Sequence, residues 1–225
     1  MTTSDDRSSH QARAARLAER VQAGELARER LELAAYLGHA AARQAVPRPR
    51  PSTACAWGLH GVDAFFLDLD AYGEEVRDRA NLAMCRALLP RWQEQYPAEA
   101  WLGEWLRDEE RRIVEGRQGT PEERVERASR LRERLRAFPP FAALVGRWEG
   151  EAHLEYHSFL FAMTLVAAVQ GQKVGVVAFD LAGSRLHRRG RAWLRRVVRR
   201  EVAPWALGEG DPLSARPTPG APSAG

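Results

Sequence analysis

The chain has 225 residues, 44% of them apolar and 28% charged, with 34 basic against 30 acidic side chains and a formal net charge of +4. That composition excludes a disordered or collagen-like chain and provides for one main core with a small appendage. Two cysteines, Cys55 and Cys85, exclude a disulfide-dense secreted module, and the opening Met-Thr-Thr-Ser-Asp-Asp-Arg lacks the apolar core of a signal peptide, so a cytoplasmic protein is expected.

Residues 1–12 are polar and read as a flexible N-terminus. From Arg13 to Val46 the sequence predicts three short helices: Ala14, Leu17, Ala18 and Val21 fall at helical spacing, Gly24 and Gly38 sit where helices stop, and Pro47 ends the third. Residues 47–52 alternate proline with arginine before Ser52. Proline fixes its own φ and disfavours helix in the residue before it, which predicts a stiff extended connector. The main helical domain is expected over 53–207, and 208–225, rich in proline, glycine and serine, as a disordered tail.

Within the main domain, Ala64, Phe65, Phe66 and Leu69 predict a short apolar helix interrupted by Gly73. Val76, Ala80, Leu82, Ala83, Ala87 and Leu88 continue on one face of a longer one, which Pro90 is expected to kink or break. Pro97 is expected to open the next helix, with Trp101, Leu102, Trp105, Leu106, Ile113 and Val114 inward and Arg107, Asp108, Glu110 and Arg111 opposite. In Thr120-Pro121-Glu122-Glu123 a threonine cap, a proline in the first helical position and a glutamate three residues after the cap form a capping box, so a helix starts at Pro121. It should place Val125, Ala128, Leu131 and Leu135 inward and end near Phe138-Pro139-Pro140. A helix from about Glu151 to Gln170, apolar nearly all round after His157, reads as the central buried element. Ser158 to Gln172 is uncharged for 15 residues, short of the ~20 apolar residues that cross a bilayer. Val174 to Phe179 suits either a strand or a helix; helix is preferred because no second strand candidate exists to pair with it. The last helix should run from about Ser184 to Trp205.

The fold class expected is therefore all-α, a multi-helix bundle with a small N-terminal helical unit and a disordered C-terminal tail. No phosphate loop, nucleophile elbow or paired-cysteine motif occurs, so neither catalytic residues nor a cofactor are assigned. His153 and His157, four apart on a helix, have the spacing of paired zinc ligands, but two ligands do not make a site and no glutamate follows the first histidine. Asp68-Leu69-Asp70-Ala71-Tyr72-Gly73 opens like a calcium loop, yet Arg79 stands at the twelfth position, where a carboxylate is required. Cys55 and Cys85 read as small buried hydrophobes.

Charge placement is more informative. Of the 34 basic residues 33 are arginine, and eight of these lie between Arg185 and Arg200, a stretch with no Asp or Glu; the other 209 residues carry 26 basic and 30 acidic groups. Arg188, Arg189, Arg195, Arg196, Arg199 and Arg200 come in three adjacent pairs, the second seven residues after the first and the third four after the second, with Leu186, Trp193, Leu194, Val197 and Val198 on the apolar side. These six arginines are the candidate interaction surface, for an acidic protein partner, nucleic-acid phosphates or an anionic membrane, against the alternative of a solvated helix. No helix-turn-helix or ribonucleoprotein motif accompanies them, which argues against sequence-specific reading of DNA or RNA.

The run Leu17-Ala-Glu-Arg-Val-Gln-Ala-Gly24 through Leu31, Leu37-Gly38 and Arg43, with Tyr72-Gly73-Glu-Glu and Ala87-Leu-Leu-Pro90-Arg-Trp92-Gln-Glu-Gln-Tyr96-Pro97, resembles a group of helical proteins of myxobacteria and planctomycetes, some of which carry the label of immunity proteins in polymorphic-toxin systems. The likeness is strongest over 13–46 and looser to about Leu135; Ala98-Glu-Ala-Trp101 stands where such proteins often have Asp-Arg-Pro. The shared motifs are packing motifs, so the resemblance implies a helical fold and no transferable catalytic residue. Together with the absence of catalytic motifs it implies a non-enzymatic protein-interaction module, an immunity-type inhibitor with a protein partner. A nucleic-acid-binding or regulatory protein acting through the arginine helix 184–205, and an unrecognised enzyme, are the alternatives.

Overall fold

A computed structural model describes residues 4–46, 62–141, 153–173 and 188–214, with the side chains of 8–46, 64–141, 161–173 and 192–214. The chain is all-α: the described residues form helices and turns and no strand. The helices are α1 (Ser4–Gln22), α2 (Arg28–Tyr36), α3 (Ala40–Ala45), α4 (Val62–Leu69), α5 (Glu74–Gln95), α6 (Trp101–Val114), α7 (Pro121–Arg136), α8 (His153–Gln170) and α9 (Arg188–Ala206), with a short 3-10 turn, Asp70–Tyr72, between α4 and α5. The proline–arginine connector 47–52, the valine-rich segment 174–179, Cys55 and the tail beyond Ser214 lie outside the described residues, as do the side chains of His153 and His157. The chain divides into two units, Met1–Pro51 with Arg199–Gly225, and Ser52–Val198, so the division falls inside α9.

In the first unit α1 and α2 both pack on α3. Ala14, Leu17, Leu31, Leu33, Ala34, Leu37, Ala41 and Ala42 are buried together with Val202, Trp205, Ala206 and Leu207. Helix α1 begins at Ser4, ahead of the start expected at Arg13, because neither proline nor glycine interrupts 4–22. Gly24 (φ +73°) and Gly38 (φ +94°) end α1 and α2 in the left-handed conformation that costs other residues energy. Arg13 and Arg20 reach the residues after α9: Arg13 pairs with Glu209 at 2.6 Å, and Arg20 Nη1 donates to the Leu207 carbonyl at 2.9 Å. Residues 208–214 form turns, in which the Asp211 carboxylate accepts from the Leu213 N–H.

In the second unit α5 packs most extensively against α8, flanked by α6 and α7. Asp78 through Arg86 are buried without a break, so α5 is as central as α8. Helix α5 is not broken at Pro90. That residue lies close enough to the C-terminus that its missing N–H removes a single bond from the last turns, and Trp92 anchors the end of the helix. The Trp92 ring stands 4.8–6.2 Å from those of Tyr96, Trp101, Phe138 and Phe161, and its Nε1–H donates to the Glu99 carbonyl at 2.9 Å. That bond, with the Glu99 N–H donating to Tyr96, holds 96–99 in a turn, so α6 starts at Trp101 and not at Pro97. The capping box at Thr120 forms as expected: Thr120 Oγ1 accepts from the Glu123 N–H and Glu123 Oε2 accepts from the Thr120 N–H. Helix α7 faces inward differently from the expectation: Val125 is exposed and Arg124 and Arg127 are buried beside Ala128, Leu131 and Leu135.

Candidate functional site

Two polar features stand out, one inside the second unit and one on α9. The buried feature is a set of three arginine–carboxylate pairs that joins α5, α6 and α7 two by two. Asp78 on α5 accepts both terminal nitrogens of Arg124 on α7, at 2.7 and 2.8 Å. Arg86 on α5 donates through Nε and Nη2 to Glu110 on α6, at 2.8 and 2.6 Å. Arg127 on α7 donates to Glu109 on α6 at 3.1 Å and to the Gln118 carbonyl at 2.7 Å. All six charged residues are buried. Removing such ions from water is costly, and direct pairing with additional hydrogen bonds is what offsets it.

Arg124 also closes the end of α8. Its Nε and Nη2 donate to the carbonyls of Val169 and Ala168, among the last of that helix, where the macrodipole favours a cation. Gly171 comes next at φ +75°, and a Cβ there would lie 2.7 Å from the guanidinium carbon, so glycine is required for both its conformation and its lack of a side chain. Burial works against the charge on Arg124, but the hydrogen bonds and charge of Asp78 outweigh it and hold the guanidinium protonated. Burial pushes the Glu109 carboxyl above its usual range, although Arg127 pulls the other way. Between these groups lies a hollow of about 10 Å³ lined by Asp78, Glu109, Gln118, Arg124 and Arg127, room for a single water. Cys85, fully buried nearby in α5, has its thiol pushed well up by that burial, which suits an inert small hydrophobe.

The second feature is α9. At 3.6 residues per turn six of its seven arginines fall into two rows and not one face. Arg189, Trp193, Arg196 and Arg200 recur at i, i+4, i+7 and i+11 on one stripe, where Trp193 (37%), Arg196 and Arg200 are exposed. Arg188, Arg195 and Arg199 share a neighbouring row. There Arg195 stacks on the Phe65 ring at 4.8 Å, and the Arg199 guanidinium packs against Gly38, where a Cβ would meet it at 3.3 Å. The side chains of Arg188 and Arg189 lie outside those described. Leu194, Val197, Val198, Val202 and Trp205 are buried on the opposite side.

The calcium-like segment forms a helix junction, with Asp68 buried at the end of α4 and Gly73 at φ +102°. Among the described residues no group of three or more His, Cys, Asp and Glu is placed to hold a metal ion, and no helix is long and apolar enough to cross a membrane. Glu109, Glu110, Arg124 and Arg127 were not legible as buried groups from charge alone. Their signal is positional: Leu102, Leu106, Glu109 and Ile113 share one helical line, as do Arg124, Ala128, Leu131 and Leu135. No protein-family model, curated protein or solved structure matches the chain.

Proposed function

We propose that the chain is a non-enzymatic protein-interaction module, an inhibitor of the immunity type that acts by covering a partner protein's surface. The observation that carries this reading is the engagement of three buried acids. Asp78, Glu109 and Glu110 are groups an enzyme could use as general acid or base, and each is tied to an arginine; the hollow that Asp78 and Glu109 border has room for one water. A catalytic carboxylate needs a substrate atom within hydrogen-bond reach; these three meet guanidinium instead. Among the described residues these three pairs serve cohesion between helices, which supports a reading in which recognition lies on the outside. The resemblance of 13–46 to a group of helical proteins, some of which are labelled as immunity proteins, suggests the partner class, a toxin.

The test is cross-linking in the native cell, identification of the linked chain, and reconstitution of the pair from purified proteins. A stoichiometric complex that suppresses the partner's activity is the expected result. Failure of every cross-linked candidate to reconstitute overturns the reading, as does turnover of a small-molecule substrate by the purified chain. A toxin gene beside this one agrees with the reading, and metabolic neighbours favour an enzyme.

A further inference from the structure

We infer that three polar residues of α5, Asp78, Asn81 and Arg86, select a single packing of the second unit, each addressing a different neighbour and together fixing the rotation and register of the helix; this goes beyond the inhibitor reading and does not rest on it. The apolar surface of α5 cannot make that choice. A helix with a single apolar stripe has one rotation that buries it. In α5 the buried apolar residues Val76, Ala80, Leu82, Ala83, Cys85 and Leu88 spread round the whole circumference at about 100° per residue, so turning the helix exchanges one small apolar side for another.

The polar residues break that equivalence. Asp78 accepts both terminal nitrogens of Arg124 on α7, and Arg86 donates to Glu110 on α6. Asn81, fully buried, donates through Nδ2 to the Gln172 carbonyl just past the end of α8, at 2.9 Å. Asn81 and Arg86 lie about 60° and about 80° to either side of Asp78 around the helix, and Arg86 is about 12 Å further along the axis than Asp78. The three bonds therefore leave α5 in three directions and at two levels. Turning α5 by one residue breaks all of them, and sliding it by one turn strands Asp78, Arg124, Arg86 and Glu110 as buried charges away from their partners, which costs far more than a misplaced apolar contact. Stability alone does not account for the pairs, because apolar replacement of a whole buried pair is often neutral. An apolar core of the right volume loses uniqueness before it loses stability, and setting helix register is the best-attested use of buried polar groups.

The experiment uses Cys85, fully buried on α5, to report how firmly that helix is held. In the full chain with Cys55→Ser, labelling of the remaining thiol by a disulfide-exchange reagent is followed at one pH under native conditions, beside a urea titration. Arg86→Met with Glu110→Leu removes one address and leaves no charge without its partner; adding Asn81→Leu removes a second and keeps every bond of Arg124. Both variants should retain the far-ultraviolet circular dichroism of the parent and a urea midpoint within about 0.5 M of it. Cys85 should nevertheless be labelled at least about tenfold faster in the three-site variant and by a smaller factor in the two-site variant, and the near-ultraviolet signal of the packed tryptophans should fade in the same order. Three results overturn the inference. Labelling as slow as in the parent means that apolar packing selects the arrangement unaided. Labelling that rises only as far as a lowered midpoint accounts for, or loss of helix in the two-site variant, means that the polar residues supply cohesion and not selection.

Discussion

His39 closes the start of α3 with its own ring: Nδ1 accepts the Ala42 N–H at 3.2 Å, satisfying one of the free donors at that helix end. The bond requires the neutral imidazole, since a proton on Nδ1 removes the acceptor. Burial holds the His39 pKa below its ordinary 6.5; Glu209 opposes that shift, and Arg13 and His10 reinforce it. A base whose folded pKa is lowered binds fewer protons folded than unfolded, so its stabilisation is complete above pH 6.5 and is lost as pH falls from 6.5 through the lower folded value. We expect the urea midpoint to fall between about pH 7.5 and about pH 5, and His39→Asn, which keeps a capping acceptor without titrating there, to remove that part of the slope. An identical slope in the asparagine variant would exclude His39 as its origin.

At the scale of elements, the pair Asp78–Arg124 joins α5 to α7 and to the end of α8. Arg124→Met leaves a buried carboxylate alone and frees two helix-end carbonyls, and should destabilise the chain by about 3–5 kcal/mol in urea unfolding. Asp78→Leu with Arg124→Met removes both charges and should recover much of that loss, because apolar replacement of a whole buried pair is often near neutral. A double variant no more stable than Arg124→Met would mean that the carbonyl bonds of Arg124, not its pairing with Asp78, carry the effect. The cap at Thr120 is a smaller device: Thr120→Ala should cost about 1 kcal/mol. That cap was fully legible in the sequence, since its pattern spans four neighbouring residues and its chemistry is local. The inward turn of Arg124 and Arg127 was not. Periodicity assigns burial by apolarity, so Val125 read as core and the arginines as solvated, whereas the partners that make their burial tolerable, Asp78 and Glu109, lie on other helices. The start of α6 was missed for a similar reason: Pro97 favours a helix start locally, but the turn at 96–99 is held by the Trp92 indole from the end of α5.

Across the whole molecule, the all-α class was legible because it rests on many helical periods summed along the chain, and an error of a few residues at α1, α6 or α7 leaves the sum unchanged. Sites have no such averaging. The arginine helix was recognised from its charge density, but its division into an exposed row with Trp193 and a second row holding Arg195 and Arg199 depends on Phe65 and Gly38, far away in sequence. Far-ultraviolet circular dichroism tests the fold class over the complete chain, including 174–179, where a valine-rich run suits a strand. The described helices already take up most of the sequence, and a lone six-residue strand would leave its backbone groups without partners, so the spectrum should be that of a helical protein. Strand content above about a fifth, the amount an ordinary mixed domain holds, would require the segments between the described helices to pair with one another and would end the all-α assignment.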